Sequence, residues 1–222
     1  MRTVVITGIG KGIGKALAEK FVAEGYAVIG TTRSGETDVA GAAAYALDLA
    51  DGQSITRATD AILAAAPAID ILINNAGVLL DEDWTSLNPD LLRKTFEVNV
   101  IGTAAFTEAL KERISASGGH IVNIASTAGS LALADGSASH FPHHYPAYKI
   151  SKAALNMYTR TLAVELKGKA IVSSVHPGWV KTDMGGEEAD MTPTEAAEGI
   201  FALAVSRPET GQFWFKGEKL PW

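Results

Sequence analysis

The chain has 222 residues and no cysteine, which excludes disulfides, thiolate metal sites and cysteine nucleophiles. Its net charge is −6 at pH 7 and it has no basic run, which argues against nucleic acid as a partner. No segment approaches the roughly 20 apolar residues of a membrane span, and the N-terminus lacks the apolar stretch of a signal peptide. We therefore expect a cytoplasmic protein without membrane contact, folded as one domain over residues 1–222.

Short apolar runs alternate with helical patterns along the whole chain. The runs that predict strands are Thr3–Thr7, Ala27–Thr32, Ala43–Leu47, Ile69–Asn74, His120–Ile124, Ala170–His176 and Gln212–Phe215. The helical patterns cover Lys11–Glu24, Gln53–Ala65, Pro89–Ser117, Ala147–Lys167 and Pro193–Ser206. The alternation predicts an α/β protein of the Rossmann type, a doubly wound and mostly parallel sheet with helices on both faces.

A glycine-rich turn joins the first strand to the first helix. Gly8, Gly12 and Gly14 form the pattern Gly-x-x-x-Gly-x-Gly. Glycines let the backbone turn sharply and approach a pyrophosphate, whose charge the N–H groups of the helix N-terminus can bind. A P-loop is excluded, because Ile9 stands where its first glycine should be and Ala16 where Ser or Thr is needed. The pattern favours dinucleotide binding, although a tight turn alone would also explain it.

Further polar residues stand at strand ends or helix starts. They are Asn74 and Asn75 with Ala76 and Gly77, Asn99 in Asn-Val-Ile-Gly, Ser126 after the fifth strand, Tyr148 with Lys152, and the run Pro177-Gly178-Trp179-Val180-Lys181-Thr182-Asp183. Each also has a purely structural explanation: a surface pair on a helix for Tyr148 and Lys152, a turn cap for Ser126, a cap or kink for Asn99. Their joint occurrence on one side of the expected sheet favours a catalytic set.

Together with the glycine turn, these segments resemble the short-chain dehydrogenase/reductase family over essentially the whole chain. The stretch from His176 to Met184 and the tail Gly211–Trp222 resemble its C-factor and sniffer-type carbonyl reductase branch. The resemblance implies that Tyr148 is the general acid/base and that Lys152 binds the ribose of a nicotinamide cofactor. It further implies that Ser126 holds the substrate oxygen and that Asn99 holds a water at a break in its helix.

The resemblance also implies a cofactor-binding set. Its members are Gly8, Lys11, Gly12, Ile13, Gly14, Arg33, Asp48, Leu49, Asn75, Ala76, Gly77, Tyr148, Lys152, Pro177, Gly178, Val180 and Thr182. Asp48 would bind the adenine amino group and Leu49 would pack on the ring. The second strand ends without an acidic residue, while Arg33 and Lys11 could bind a 2′-phosphate. We therefore expect NADP(H) as cofactor.

Two segments of the sequence can be interpreted in more than one way. Ser126 and Tyr148 are 22 positions apart, where the family spacing is about 13, so we expect an insertion above the site. Its histidines suggest a metal site, but solvated or substrate-facing side chains suit them better and we expect no metal; they are His140, His143 and His144. Trp179 is either a wall of the substrate pocket or ordinary packing.

The function predicted from these residues is NADP(H)-dependent reduction of a small carbonyl compound to the alcohol. A lysine ammonium and a nicotinamide cation should lower the pKa of Tyr148 from about 10 toward the working range. The alternatives are an NAD-dependent alcohol dehydrogenase and a nucleotide-binding signalling protein without turnover. We also expect a homodimer that pairs through Pro89–Ser117 and Ala147–Lys167, whose surplus apolar residues are Phe106, Leu110, Leu155 and Leu162.

Overall fold

The computed structural model describes residues 1–134 and 145–222. Its strands are β1 Thr3–Thr7, β2 Ala27–Thr32, β3 Ala42–Ala46, β4 Ile71–Asn74, β5 His120–Ile124, β6 Ile171–Val175, β7 Gln212–Phe215 and β8 Glu218–Leu220. Its α-helices are α1 Gly12–Ala23, α2 Gly52–Ala65, α3 Pro89–Phe96, α4 Thr103–Ala116, α5 Pro146–Glu165 and α6 Pro193–Ser206. A π-helical segment, Glu97–Gly102, joins α3 to α4, and a 3₁₀ turn, Thr127–Gly129, follows β5.

All eight strands form one sheet, in the order β3-β2-β1-β4-β5-β6-β7-β8. The first seven strands of that order pair in parallel, and only β7 and β8 are antiparallel. This confirms the predicted doubly wound sheet. Strand β8 was not predicted, because a three-residue edge strand has no periodicity to detect; the two-residue turn Lys216-Gly217 before it was the available signal.

Helices cover both faces of the sheet. Helices α1 and α6 pack on one face, where Leu17 and Phe21 join Ile200 in an apolar core. Helices α2, α4 and α5 contribute to the core on the other face. The strand order reverses between β1 and β4, so the carboxyl ends of these strands lie on either side of a crevice. Every predicted catalytic residue belongs to a segment at this edge of the sheet.

The predicted helix Pro89–Ser117 is interrupted where the sequence analysis placed a break. Residues Glu97–Gly102, which include Asn99, form a π-helical segment between two α-helical ones. Such segments are rare and are frequent at functional sites, because the wider turn redirects side chains and backbone carbonyl groups.

The apolar residues proposed for helix pairing were predicted wrongly. Their side chains are at most 2% exposed within a single chain, because the rest of the chain already covers them; they are Phe106, Leu110, Leu155 and Leu162. The apolar side chains that the two helical regions leave exposed are different ones, namely Ile101, Ile150, Met157 and Val164. Pairing between two copies of the chain stays a prediction. Within residues 1–134 and 145–222, no helix has both the length and the apolar character to cross a membrane.

Candidate active site

The glycine-rich turn cannot accept a side chain at Gly8 or Gly14 without strain. Gly8 has a φ of +76°, a conformation that favours glycine. A Cβ atom on Gly14 would lie 2.1 Å from the carbonyl oxygen of Gly8. The side-chain amide of Asn75 donates to the carbonyl oxygens of Thr7 (2.9 Å) and Gly8 (3.2 Å). Asn75 therefore holds the turn in shape from the end of β4.

The first turn of α1 keeps its backbone N–H groups free of a side-chain cap. The N-cap residue Lys11 makes no side-chain capping bond, whereas Asp51, Asn88 and Thr192 cap α2, α3 and α6 with their side chains. An uncapped helix N-terminus directly after a tight glycine turn suits a bound phosphate group, which supplies both the acceptors and the negative charge. This geometry fits a dinucleotide.

The two cations predicted to bind a 2′-phosphate differ in their surroundings. Lys11 forms an ion pair with Asp183, and the two side chains are 76% and 78% exposed. Arg33 is exposed and has no hydrogen bond or ion pair with any residue in the described parts of the chain. Beside the ion pair, Thr182 contacts Gly12, so the loop after β6 meets the glycine turn. Lys11 would have to leave Asp183 in order to reach a phosphate.

At the predicted adenine site, the turn after β3 is held by hydrogen bonds between its own residues. The Asp48 carboxylate accepts from the backbone N–H of Ala50 at 2.9 Å, and Asp48 remains exposed. Leu49 is only 5% exposed, because its side chain packs into the core. An adenine ring could therefore contact only the small remaining surface of Leu49.

Tyr148 and Lys152 lie one helical turn apart near the start of α5. The Nζ atom of Lys152 donates to the carbonyl oxygen of Ile124 at 2.8 Å and lies 5.6 Å from the centroid of the Tyr148 ring. Burial raises the pKa of Tyr148 to about 12, partly offset by a hydrogen bond with Ser126, and burial lowers the pKa of Lys152 to about 8. The protein alone does not produce the lowered tyrosine pKa that the sequence predicted, because burial outweighs the effect of the Ser126 hydroxyl.

Ser126 has two partners. Its Oγ atom accepts from the N–H of Ala128 at 3.1 Å, which caps the 3₁₀ turn after β5. Its hydroxyl also lies near enough to Tyr148 to lower the pKa of that phenol, against the effect of burial. The two explanations offered for Ser126, a turn cap and a catalytic partner of Tyr148, are thus compatible, since the cap fixes the side chain that reaches the tyrosine.

Asn99 is buried in the π-helical segment and its side chain is fully engaged. Its amide oxygen accepts from the N–H of Val78 at 2.8 Å, and its amide nitrogen donates to the carbonyl oxygen of Val78 (2.9 Å) and to Oγ of Ser151 (3.1 Å). Both N–H groups of the side chain are therefore used by protein atoms. The water predicted at this position stays a prediction, and it would bind the backbone of the segment or donate to the second lone pair of the Asn99 oxygen.

The comparisons with known proteins identify the family of the chain. A sequence model of the short chain dehydrogenase family matches residues 2–193. The chain belongs to this family. Among curated members, C-signal of Myxococcus xanthus is 32% identical over 166 residues, which cover 69% of this chain and 93% of C-signal. The NAD-dependent glycerol dehydrogenase of Listeria innocua is 34% identical over 193 residues, which cover 83% of this chain and 72% of that enzyme.

Solved structures of short-chain dehydrogenases superpose on the whole chain. The NADPH-bound carbonyl reductase from chicken fatty liver has a TM-score of 0.89 and 26% identity, and the match covers 100% of this chain and 99% of the other. Carbonyl reductase Sniffer of Drosophila melanogaster has a TM-score of 0.86 over the full length of both chains and, at 23% identity, shows the shared fold. The resemblance stated from the sequence, including its carbonyl reductase branch, is confirmed.

The family's loop after β6 supplies the remaining residues of the predicted set. Val180 is buried and bridges to Met191, and the Sδ atom of Met191 occupies the space beside Gly178, which has a φ of +92°. The indole N–H of Trp179 donates to Gly185 at 2.8 Å. Trp179 is also a wall of a cavity of about 290 Å³, lined further by His176, Gly178, Asp190, Met191, Phe215 and Lys216. Trp179 therefore serves both packing and a pocket.

Three residues that support the site escaped sequence reasoning. Thr7 accepts from the N–H groups of Asn75 and Ala76, both at 3.0 Å. Ser151 donates to the carbonyl oxygen of Tyr148 at 2.7 Å, and Asp81 accepts from the first turn of α5. Thr7 had a signal, because it opens the glycine turn, whereas Ser151 and Asp81 had none. The histidines of the predicted insertion, His140, His143 and His144, lie outside the described residues.

Proposed function

We propose that this short-chain dehydrogenase uses NADP(H) to reduce a small aldehyde, ketone or quinone to the alcohol, with Tyr148 as the general acid/base. The observation that carries the proposal is the position of the Lys152 Nζ atom, 5.6 Å from the centroid of the Tyr148 ring, with the Ser126 hydroxyl near enough to lower the pKa of that phenol. Because the pKa of Tyr148 is raised to about 12, the phenol holds its proton at neutral pH, as the acid in a reduction must.

Three residues have separate roles in the proton transfer, namely Tyr148, Ser126 and Lys152. NADPH, held by the glycine turn and Lys152, would supply the hydride for the carbonyl carbon. Tyr148 donates its proton to the carbonyl oxygen, and the Ser126 hydroxyl stabilises the negative charge that develops there. Lys152, whose Nζ atom has two N–H donors beyond the bond to Ile124, stabilises the phenolate that remains and can bind a ribose hydroxyl.

The preference for NADP(H) is supported by the charges near the glycine turn. Arg33 is exposed after β2 with no ion-pair partner in the described residues, and no carboxylate ends that strand. A guanidinium at this position suits a 2′-phosphate, which an acidic residue would repel. The NADPH-bound carbonyl reductase that superposes on the chain also supports this choice.

NAD(H)-dependent alcohol oxidation is the second candidate. The observation in its favour is the ion pair between Lys11 and Asp183, which occupies one of the two cations. The Listeria relative, named as NAD-dependent, points the same way. A signalling protein without turnover has less support, since it would not need Ser126, Tyr148 and Lys152 in contact.

A panel of aldehydes, ketones and quinones assayed with NADPH and with NADH tests the proposal. Tyr148→Phe removes only the hydroxyl, so kcat on the best substrate should fall by about 10²- to 10⁴-fold while NADPH still binds. The matched control is Tyr158→Phe on the same helix, whose hydroxyl bonds to Glu108 at 3.0 Å and should leave kcat unchanged. A Tyr148→Phe enzyme that keeps the parent kcat would refute the assignment of the acid.

A further inference from the structure

Helix α5 begins without a cap from its own sequence. Its N-cap residue, Tyr145, makes no side-chain capping bond, and Pro146, the first helical residue, has no N–H to donate. The first backbone donor of the helix is therefore Ala147. Its N–H donates to the Oδ2 atom of Asp81 at 2.7 Å, across 66 positions of the sequence. The carboxylate of Asp81, which is distant in the sequence, thus caps the helix in place of its own N-cap residue.

The Asp81 carboxylate lies in an unusual environment for a charged group. The residue is 1% exposed, and its Oδ1 atom has no hydrogen-bond partner among the described residues. Burying a carboxylate is costly unless hydrogen bonds and favourable dipoles offset the lost solvation. Here the offset comes from the N–H of Ala147 and from the positive end of the α5 dipole. The N-terminus of α5 and Asp81 therefore stabilise each other.

The segment that carries Asp81 also contacts the other side of the site. Val78, three residues earlier, exchanges two hydrogen bonds with the buried side chain of Asn99. One short segment after β4 is thus fixed at one end to the π-helical segment and at the other to the start of α5. Because Tyr148 directly follows Ala147, the position of this segment affects the position of Tyr148.

We propose that Asp81 is a positioning residue for Tyr148, which holds the first turn of α5 so that the phenol meets Ser126. The inference rests on the proposed function, because it assigns a partner to the proposed acid. Tyr148 is the third residue of the helix, and terminal turns fray when their N–H groups lack acceptors. Lys152 lies one turn deeper and has its own bond to Ile124. Loss of Asp81 therefore displaces Tyr148 and leaves Lys152 in place.

The kinetic test compares Asp81→Ala, Asp81→Asn and the parent. Asp81→Ala should lower kcat by about 10- to 100-fold with the KM for NADPH within about twofold, because a small displacement of a catalytic group costs that much. Asp81→Asn keeps an acceptor without its charge, so its kcat should fall between the other two. Asp51→Ala is the matched control, since it removes the carboxylate that caps α2 through the N–H of Gln53, and it should lower the melting temperature without lowering kcat.

Hydrogen exchange provides a readout that does not depend on turnover. In Asp81→Ala the amides at the start of α5, Ala147 and Tyr148, should exchange faster, while those of the last turns stay protected. If the parent reduces no carbonyl compound, the proposed function fails, and exchange still tests the capping. A folded Asp81→Ala with the parent's kcat, or an equal loss of kcat in Asp51→Ala, would overturn the proposal. Should Asp81→Ala not fold, an Asp81→Asn enzyme with unchanged kcat would overturn it.

Discussion

Tyr148 and Lys152 respond to the same burial with pKa shifts in opposite directions. Burial disfavours the charged form of each, so the pKa of the phenol is raised to about 12 and that of the ammonium is lowered to about 8. The consequence depends on the direction of the reaction. A protonated tyrosine suits reduction, whereas oxidation requires the phenolate.

Cofactor choice is also decided at the scale of single residues. Arg33→Asp reverses the charge beside the expected 2′-phosphate and should raise the KM for NADPH by about 10- to 100-fold, the value of one charge-assisted hydrogen bond. The KM for NADH should change little. Steady-state kinetics with both cofactors measures the shift.

Lys11→Ala and Asp183→Asn extend this experiment, because each removes one of the two charges of the exposed ion pair. If Lys11 binds the phosphate, Lys11→Ala should raise the KM for NADPH, whereas Asp183→Asn should lower it by freeing the lysine. An NADPH/NADH preference that is the same in the parent, Arg33→Asp and Lys11→Ala would contradict the NADP(H) assignment.

At the scale of elements, the π-helical segment connects the catalytic and nucleotide ends of the site. Asn99 lies within it, and Gly102 closes it against the turn after β3. A Cβ atom on Gly102 would lie 1.9 Å from the carbonyl oxygen of Leu49. The backbone of the π-helical segment therefore packs directly against the predicted adenine turn. No side-chain movement can relieve a clash there.

Gly102→Ala should separate the π-helical segment from the turn at Asp48 and Leu49. The added methyl group meets backbone atoms, so we expect a loss of about 1–3 kcal/mol in the free energy of unfolding and a higher KM for NADPH. Gly199→Ala in α6 is the matched control, because its Cβ would meet nothing within 4 Å and alanine favours a helix by about 0.5–1 kcal/mol. Urea unfolding of both variants measures the difference. Equal stabilities for Gly102→Ala and the parent would show that this contact relaxes freely.

At the scale of the whole molecule, the outer face of α5 exposes apolar side chains. The exposed apolar side chains of α5 share the helix with charged ones, such as Glu165, which forms an ion pair with Lys111 of α4; Lys111 also pairs with Glu108. We expect two copies of the chain to pair through this face, with Met157 and Val164 in the contact.

Light scattering at micromolar concentration, with and without NADPH, tests this assembly. The parent should have about twice the 23.2 kDa of one chain, and Met157→Glu combined with Val164→Glu should bring the mass to that of the monomer. Because both side chains are exposed in the single chain, the double variant should still fold, as far-UV circular dichroism would show. A parent mass near 23.2 kDa in both states would contradict the pairing.

Local patterns in the sequence were sufficient for much of this protein. The apolar runs predicted seven of its strands, because a parallel sheet buried on both faces needs continuous apolar segments. The glycine turn and the helical spacing of Tyr148 and Lys152 are equally local, so they could be read before any folding was considered, whereas the break at Asn99 was implied by the family resemblance. The family membership followed from their order along the chain.

Only the tertiary structure decided how these parts act on one another. The bond from Ala147 to Asp81 and the ion pair of Lys11 with Asp183 join residues 66 and 172 positions apart, and no local pattern announces them. The burial of Phe106 and the raised pKa of Tyr148 likewise depend on what packs around each side chain. Hydrogen bonds and desolvation act through distance in space, whereas periodicity and turn chemistry act through distance along the chain. For this reason the sequence predicted where the site lies, and the fold determined which partners hold its residues in place.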